Sequence, residues 1–410
     1  MFERDRVWEY STTDRIKFGP GAVTELGAEL DSWNAETVLI VTDEGIEDAG
    51  IVDAVTETFP PAVEYELFAE VEPDPPRELF ERAGSVAADV DPDAVIGLGG
   101  GSSIDVGKVA SVLHAHGGNV LEYVAPPIGE GKPVPGPTTP YVAVPTTAGT
   151  GSEATSVAVV SLPERKLKVG ISHEHVFPEL GLVDPTLMTS LPPSVTAASG
   201  LDALSHAIEG YTTRRYDAKP RPEAPADRPD YGGGTPLSDA LCRQAIELVS
   251  DNLRRAVNNG DDLDAREGMA LGSLTAAVGF ANAGLGAAHA LAYPVAGEHH
   301  TPHGLTVALL LPAVMRFNAT GAPERYAEIA RVMGKNTDGC DRRTAAEKAA
   351  DAVGELAEDI GLPDGLGVVG VSAEELPTLA EEASQLQRLL VGNPRRMDEA
   401  DIEEVYRESL

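Results

Sequence analysis

Hydrophobic residues in the first half of the chain form short β-branched runs, separated by stretches whose apolar residues recur at helical spacing. The helical stretches cover about 46–58 and 77–89, and a third begins near Ser103. The strand-like runs cover 37–43, 64–70, 93–101, 141–145, 156–162, 166–172 and 180–184. Strands that alternate with helices are typical of a parallel sheet covered by helices. We therefore predict an α/β domain over residues 1–192.

The pattern changes after Pro192-Pro193, where β-branched alternation almost disappears. Alanine-rich segments with helical periodicity follow, at 194–212, 237–257, 264–290, 323–334 and 343–361. These segments predict an all-helical domain over residues 193–410. The segment 214–236 interrupts it with five prolines and a triple glycine, which predicts a long loop.

The chain is strongly acidic, with 66 Asp and Glu against 31 Lys and Arg among 410 residues, a formal net charge of −35. Such a surface repels nucleic acid and anionic membranes, so we expect neither as a partner. The carboxylates are spread along the whole chain, which indicates adaptation to high salt, where screening relieves their self-repulsion. The protein is therefore expected to be halophilic.

Several features favour a cytoplasmic protein. Cys242 and Cys340 are too few and too scattered for a disulfide framework, which fits a reducing interior. The opening residues, MFERDRVWEY, are charged where a signal peptide needs an apolar core. The stretch 268–297 carries no Asp, Glu, Lys or Arg, but its six glycines and one proline favour buried helices over a membrane span.

A glycine-rich segment, GGGSSIDVGK at 99–108, follows an apolar strand and opens a helix. Its backbone amides and the helix dipole would face an anion such as a phosphate, although such turns also occur for packing alone. It is not the usual G-x-G-x-x-G dinucleotide fingerprint, since the candidate ribose-binding acid, Asp43, comes 56 residues before Gly99.

A second small-residue loop, PTTAGTGSE at 145–153, follows the next strand and supplies several hydroxyl groups. Thr146, Thr147 and Thr150 suit contacts to phosphate, amide or ribose. A polar turn whose hydroxyls cap its own backbone is the equally weighted alternative.

Four residues of the helical half have side chains suited to a divalent metal: Asp202, His206, His289 and His303. Asp202 and His206 are four residues apart and share one helix face. Oxygen and nitrogen donors without thiolate favour Fe²⁺ or Zn²⁺, with Mn²⁺ or Co²⁺ as substitutes. A lone histidine is more often structural, and we expect the neighbouring pair 299–300 to be so.

These motifs together resemble the iron-dependent (group III) alcohol dehydrogenase family, from about Ile16 to the NPRRMDEADIEEVY tail at 393–406. The resemblance implies that Asp43 binds the adenosine ribose, which favours NAD over NADP, and that the hydroxyl loop matches the family's PTTxGT motif. It implies a pyrophosphate site at Gly99, Gly100, Gly101, Ser102 and Asp105. It also implies a metal shell of Asp202, His206, His289 and His303.

Within the family, the chain is most similar to the hydroxyacid–oxoacid transhydrogenase branch. The similarity lies in the stretch 125–137, the proline-rich loop 214–236 and Tyr293, which stands where many members place a histidine near the nicotinamide. This branch passes a hydride from 4-hydroxybutyrate to 2-oxoglutarate through bound NAD. The alcohol is expected in the cleft between the two domains, and a homo-oligomer is expected.

Two other functions stay open at this point. One is an ordinary NAD-linked dehydrogenase of primary alcohols or polyols, and the other is a catalytically silent dinucleotide-binding or metal-storage protein. The loop 214–236 bears a further hypothesis, because its charge is nearly neutral in an acidic chain. One of its arginines could bind a substrate carboxylate, or all of them could simply be solvated. The four arginines are Arg214, Arg215, Arg221 and Arg228.

Overall fold

The computed structural model describes residues 7–165, 167–219 and 222–410. The chain divides into two compact units. One is an α/β unit, Thr12–Leu191, and the other is a helical unit that consists of Pro192–Leu410 and residues 7–11. The predicted domains, 1–192 and 193–410, differ from this division at the N-terminus. There the Tyr10 hydroxyl donates to the Val278 carbonyl at 2.7 Å, which attaches this segment to a helix of the second unit.

The α/β unit is built on a parallel sheet of six strands in the order β1-β8-β5-β4-β2-β3. The described strands of the unit are β1 Arg15–Phe18, β2 Thr37–Val41, β3 Glu64–Phe68, β4 Ala94–Gly99, β5 Tyr141–Pro145, β6 Val157–Leu162, β7 Leu167–Ser172 and β8 Leu180–Val183. Because β4 pairs in parallel with both β2 and β5, the three chain segments that follow these strands leave the sheet at one edge.

Helices cover both faces of this sheet, because alternate residues of its central strands are apolar. Val38 and Ile40 of β2 face one hydrophobic cluster, whereas Leu39 and Val41 face the other. The helices are α1 Leu26–Trp33, α2 Glu44–Asp48, α3 Ile51–Thr56, α4 Arg77–Val90, α5 Gly101–His116 and α6 Val120–Tyr123. The predicted helix 46–58 is thus two helices, interrupted where Gly50 adopts a φ of 71°.

The predicted strands 156–162 and 166–172 do not extend the parallel sheet. They form a separate antiparallel hairpin, β6 with β7, in which Val157 lies opposite Ser172. The connection between them, residues 163–166, is far too short for the crossover that a parallel pair needs. The parallel interpretation of these two runs was therefore wrong, and β1, which pairs with β8, was not predicted.

The helical unit consists of α7 Pro193–Thr212, α8 Pro236–Asn258, α9 Leu263–Ala283, α10 Ala287–His299, α11 His303–Asn318, α12 Pro323–Val332, α13 Arg342–Asp359, α14 Leu376–Ser384, α15 Gln387–Leu390 and α16 Glu399–Glu408. Helix α7 is buried on every side from Gly200 to Gly210, which makes it the central helix of this unit. The unit packs α8, α9 and α11 against it.

The predicted continuous helix 264–290 is broken. Gly284, at a φ of +104°, ends α9, and α10 starts three residues later at an angle of 102° to it. Few residues other than glycine adopt this φ, so the break depends on local sequence that a periodicity pattern does not report. In the described residues, no single helix is long and apolar enough to cross a membrane, although this bent pair has the length and composition.

Candidate metal centre and cofactor cradle

Three helix segments of the helical unit bring the predicted metal ligands together. Helix α7 carries Asp202 and His206 one turn apart, α10 carries His289 in its first turn, and α11 begins at His303. A side chain at Gly304 would clash with the Ala198 carbonyl at 2.6 Å, so this glycine allows α11 to start directly against α7. The break before α10 likewise places His289 beside α7.

The Nε2 atoms of the three histidines converge on Asp202 Oδ1. This atom lies 3.6 Å from His289 Nε2 and 3.9 Å from both His206 Nε2 and His303 Nε2. Four donors bound tetrahedrally at about 2.1 Å from one ion lie about 3.4 Å apart, so the cluster is close to coordination geometry. Asp202, His206 and His289 are buried, and their donor atoms all lie within 4.8 Å of one another; His303 is outside this tight group but lies 3.9 Å from Asp202 Oδ1.

Two of the converging atoms also need a partner. Among the described residues, neither Asp202 Oδ1 nor His289 Nε2 has a hydrogen-bond partner, although both are buried. Burial of such atoms without a partner costs about 1–3 kcal/mol each, which makes it rare in native proteins. A divalent cation bound by both atoms would remove this cost, and the residues present therefore fit a metal ion.

Glu209, on the same helix as Asp202 and His206, supports the metal cluster and was missed by the sequence analysis. His289 Nδ1 donates to Glu209 Oε2 at 2.6 Å, which keeps a proton on Nδ1 and directs Nε2 toward Asp202. The amides of Gly286 and Ala288 donate to the same carboxylate at 3.0 and 2.6 Å. The signal that the sequence offered was a glutamate one helical turn after His206, in an otherwise apolar helix.

The two carboxylates make this cluster favourable for positive charge. Burial alone would lower the pKa of His289, but Glu209 and Asp202 outweigh it and raise that pKa to about 9. Burial would likewise raise the pKa of Asp202, yet the histidines, His206 foremost, hold it well below its usual range. The site thus stabilises a proton or a metal cation at its centre.

Aromatic side chains surround the cluster. The His206 ring is stacked between Phe280, at 4.3 Å between ring centroids, and His289, at 4.6 Å. The Tyr293 ring lies 5.6 Å from that of His303, so Tyr293 is placed beside a candidate ligand. Its role near the nicotinamide stays a prediction. His299 Nε2 lies 3.2 Å from Glu375 Oε1 instead of joining the cluster.

In the α/β unit, the glycine-rich segment forms the turn between β4 and α5. Gly99 adopts a φ of +144°, and Gly100 precedes a helix of 16 residues without placing a side chain over its N-terminus. The first turn of α5 contains no acidic residue. The open amides and the helix dipole therefore form a cradle for a phosphate group.

The hydroxyl loop lies directly beside this turn. The Thr146 amide donates to the Gly99 carbonyl at 2.9 Å, and a Cβ at Gly101 would lie 2.8–3.0 Å from the Thr150 side chain. A Cβ at Gly100 would come within 4 Å of the Thr147 side chain. The missing side chains thus leave a small space lined by two of the three predicted threonines.

Asp43 reaches the glycine turn from the neighbouring strand. Its carboxylate accepts hydrogen bonds from Ser103 Oγ at 3.3 Å and from the Ile46 amide at 3.1 Å. The structure therefore brings Asp43 and the glycine turn together, as parallel strand order requires. The assigned cofactor contacts of Asp43, Ser102 and the threonines stay predictions.

Asp105 is held inside the α/β unit by the hydroxyl loop and strand β6. Its carboxylate accepts hydrogen bonds from Ser152 Oγ and from the Val159 amide, the latter at 2.9 Å. Buried Lys108, which the sequence analysis did not single out, donates to Ser152 Oγ at 2.8 Å. Burial lowers the pKa of Lys108 to about 8. This network fixes α5 to the loop, and a direct pyrophosphate contact by Asp105 stays a prediction.

The loop arginines differ in their surroundings. Arg215 forms ion pairs with Asp217 and Asp239, both at 3.4 Å, and Arg228 pairs with Glu9 at 2.6 Å. Arg221 lies outside the described residues. The hypothesis of a substrate-binding arginine in this loop therefore loses two of its four candidates to internal ion pairs.

Comparison with known proteins identifies the class to which this fold and site belong. The protein-family model "Iron-containing alcohol dehydrogenase" matches residues 13–185 of this chain, and the family model "Fe-containing alcohol dehydrogenase family, C-terminal" matches residues 232–410. A 1,3-propanediol oxidoreductase has a TM-score of 0.89 at 35% identity, covering 99% of this chain and 100% of that one. The NAD⁺ complex of sulfoacetaldehyde reductase from Bifidobacterium kashiwanohense has a TM-score of 0.85 at 27% identity, covering 98% and 99%.

Two curated relatives agree with this class. The mitochondrial hydroxyacid-oxoacid transhydrogenase of Xenopus tropicalis is 36% identical over 99% of this chain and 92% of its own length. Long-chain-alcohol dehydrogenase 1 of Geobacillus thermodenitrificans is 36% identical over 96% of this chain and 95% of its own length. The chain belongs to the iron-containing alcohol dehydrogenase family, and it is an NAD-linked, metal-dependent oxidoreductase. The predicted family and enzyme class are thus confirmed.

Proposed function

We propose that this enzyme is a hydroxyacid–oxoacid transhydrogenase, which passes a hydride from 4-hydroxybutyrate to 2-oxoglutarate through NAD that stays bound. The observation that carries the proposal is the similarity to a transhydrogenase of this kind over 99% of the chain. Such a reaction needs a metal site and a cofactor site, and the donors around Asp202 and the glycine cradle suit these two purposes.

Fe²⁺ is the proposed native metal, with Zn²⁺ as the alternative, because three imidazoles and one carboxylate suit both ions. Asp202, His206, His289 and His303 would hold it. When bound, the ion supplies Lewis-acid polarisation of the substrate hydroxyl, which favours departure of the hydride from the adjacent carbon. Glu209 orients His289 by holding the proton at Nδ1.

The α/β unit holds the NAD in this proposal. The amides at the start of α5 bind the pyrophosphate, and Asp43 accepts hydrogen bonds from the adenosine ribose. The buried network of Asp105, Lys108 and Ser152 keeps the hydroxyl loop against α5. These residues bind and orient the cofactor, while the hydride acceptor is the nicotinamide itself.

The test is an assay with and without added NAD, in molar salt. The coupled reaction consumes one alcohol and one ketone, so it releases neither NADH nor a net proton. Purified enzyme should therefore convert 4-hydroxybutyrate and 2-oxoglutarate without added cofactor, with no change in a pH indicator. A dependence on added NAD, with release of one proton and one NADH per alcohol, would instead identify an ordinary dehydrogenase.

The second candidate function is such a dehydrogenase, acting on primary alcohols or diols. It is favoured by the similarity to a long-chain-alcohol dehydrogenase and by the structural likeness to a 1,3-propanediol oxidoreductase. Steady-state rates with 1-butanol, 1,3-propanediol and 4-hydroxybutyrate, each with excess NAD and again with 2-oxoglutarate in place of added NAD, rank the two functions directly.

The charge of the chain supports a proposal about its surroundings. With a net charge of −35, we infer a cytoplasmic, salt-adapted enzyme that acts on small molecules without a nucleic-acid or membrane partner. A homo-oligomer completes this proposal. Activity and sedimentation measured from 0.1 to 3 M KCl test both parts, since loss of structure at low salt is the expected result.

A further inference from the structure

Arg388, on the short helix α15, carries a positive charge that no strong internal contact uses. Its guanidinium stacks on the ring of Tyr231, 4.6 Å from the ring centroid, and its side chain is 48% exposed. Its ionic neighbour, Asp230, lies 3.7 Å away, beyond hydrogen-bonding distance. Within the described residues, the guanidinium makes no hydrogen bond, so its N–H groups are available to a ligand.

Tyr231 connects this arginine to the metal cluster. The residues after it are bonded to the end of α9, because the Gly232 amide donates to the Asn282 carbonyl at 2.8 Å. A Cβ at Gly284 would lie 3.0 Å from the Tyr231 side chain, so Tyr231 packs on the turn that leads into α10. That turn also carries the Gly286 amide, which is bonded to Glu209.

Arg388 also lies near the helix that carries Tyr293, whose ring is 5.6 Å from that of His303. Helix α15 packs against α10, the helix that carries Tyr293. A cationic side chain thus lies on a helix packed against the one that carries Tyr293 and the metal ligand His289.

We propose that Arg388 is a specificity-determining residue that binds the carboxylate of the substrate. This inference rests on the proposed function, in which both 4-hydroxybutyrate and 2-oxoglutarate carry a carboxylate and occupy the site in turn. A guanidinium held by its face on an aromatic ring keeps its edge free for two parallel hydrogen bonds to a carboxylate. Asp230 is the internal carboxylate that the substrate replaces.

The test compares a hydroxy acid with a neutral alcohol of the same length. Arg388→Met removes the charge and keeps much of the stem, and the substrates are 4-hydroxybutyrate and 1,4-butanediol, each with a saturating neutral aldehyde as the common hydride acceptor in molar salt. We expect kcat/KM for the hydroxy acid to fall about 100-fold, mainly through KM, as loss of a charged hydrogen-bond pair predicts. The diol should change by less than about threefold, because it makes no ionic contact.

Arg395→Met is the matched control. Arg395 lies in the same C-terminal segment, stacks on Phe317 at 3.8 Å and is 44% exposed, but it donates to the Phe317 carbonyl at 3.2 Å. It should leave both substrates unaffected. Equal losses for acid and diol in Arg388→Met, or the same loss in Arg395→Met, would show a structural role and overturn the proposal.

A second variant keeps the proposal testable if Arg388→Met does not fold. Asp230→Asn removes the competing carboxylate and should lower KM for 4-hydroxybutyrate about twofold to threefold while leaving KM for the diol unchanged. Unchanged KM values for both substrates contradict the proposal. The wild-type enzyme distinguishes failure of the Arg388 proposal from failure of the proposed function. If wild type turns over the diol but not the hydroxy acid, the proposed function itself is refuted.

Discussion

Replacement of Glu209 by glutamine tests how the metal cluster is held. The carboxylate accepts three hydrogen bonds, from His289 Nδ1, the Gly286 amide and the Ala288 amide. A glutamine is nearly isosteric, but only one of its two terminal atoms accepts. If the glutamine NH₂ replaces Oε1, the Ala288 amide loses its acceptor. If it replaces Oε2, the Gly286 amide loses its acceptor and His289 must move its proton to Nε2, the atom that faces Asp202.

The magnitude follows from which donor is lost. If the glutamine NH₂ faces His289, the metal-binding tautomer is disfavoured, and loss of such a support typically weakens metal affinity 10-fold to 100-fold. This range corresponds to about 1.4–2.7 kcal/mol of metal-binding free energy. Because Glu209 is buried at 6% exposure, water cannot replace the missing acceptor, so we expect the upper half of the range.

The assay is direct titration of metal-free protein with Zn²⁺ and Fe²⁺, read by competition with a chelating dye, in molar salt. Glu247→Gln is the control, because this carboxylate is 53% exposed on α8. A Glu209→Gln variant that retains wild-type metal affinity and a native circular dichroism spectrum would refute the assigned role of Glu209.

Two further predictions concern the α/β unit. Burial raises the pKa of Glu153 from 4.5 to about 7, so the folded state binds this proton more tightly than the unfolded chain and stability is lost as pH rises through that interval. The free energy of unfolding of Glu153→Gln, measured relative to wild type by denaturant unfolding, should therefore be up to about 3 kcal/mol higher at pH 8 than at pH 4.5. A difference between variant and wild type that does not depend on pH would contradict this. Gly101→Ala places a Cβ 2.8 Å from the Thr150 side chain, and we expect NAD affinity to fall at least 10-fold with metal affinity unchanged. Gly354→Ala, where a Cβ meets nothing within 4 Å, is its control, and equal NAD titration curves for both variants would argue against the cradle.

Much of the site was predictable because the relevant signals are local. Asp202 and His206 are one turn apart on a periodic apolar helix, and that spacing alone places both on one face. Glycines after an apolar strand similarly predict an open turn at a helix N-terminus. Asp43, the glycine turn and the hydroxyl loop each end a strand-like run, and parallel strands bring their carboxyl ends to one edge.

The errors share a physical cause, which is that periodicity reports exposure and not pairing. The runs 156–162 and 166–172 have the composition of strands, but their pairing as a hairpin is set by the short connection between them. The segment 264–290 remains apolar through its break, since both helices on either side of Gly284 are buried. Charged partners also escape prediction, because Glu209 becomes informative only when His289 is placed beside it.

The sequence by itself determined the two-part organisation of α/β layers followed by helices, the identity of the metal-binding side chains and the glycine turn. Each depends on spacing along one element or on the backbone freedom of single residues. Only the tertiary structure decided that imidazole nitrogens from three helix segments converge on Asp202 Oδ1, that Glu209 orients His289, and that Arg388 is stacked on Tyr231. These contacts join residues up to 157 positions apart, as with Tyr231 and Arg388, and they exist only because packing of apolar helix faces brings distant segments together.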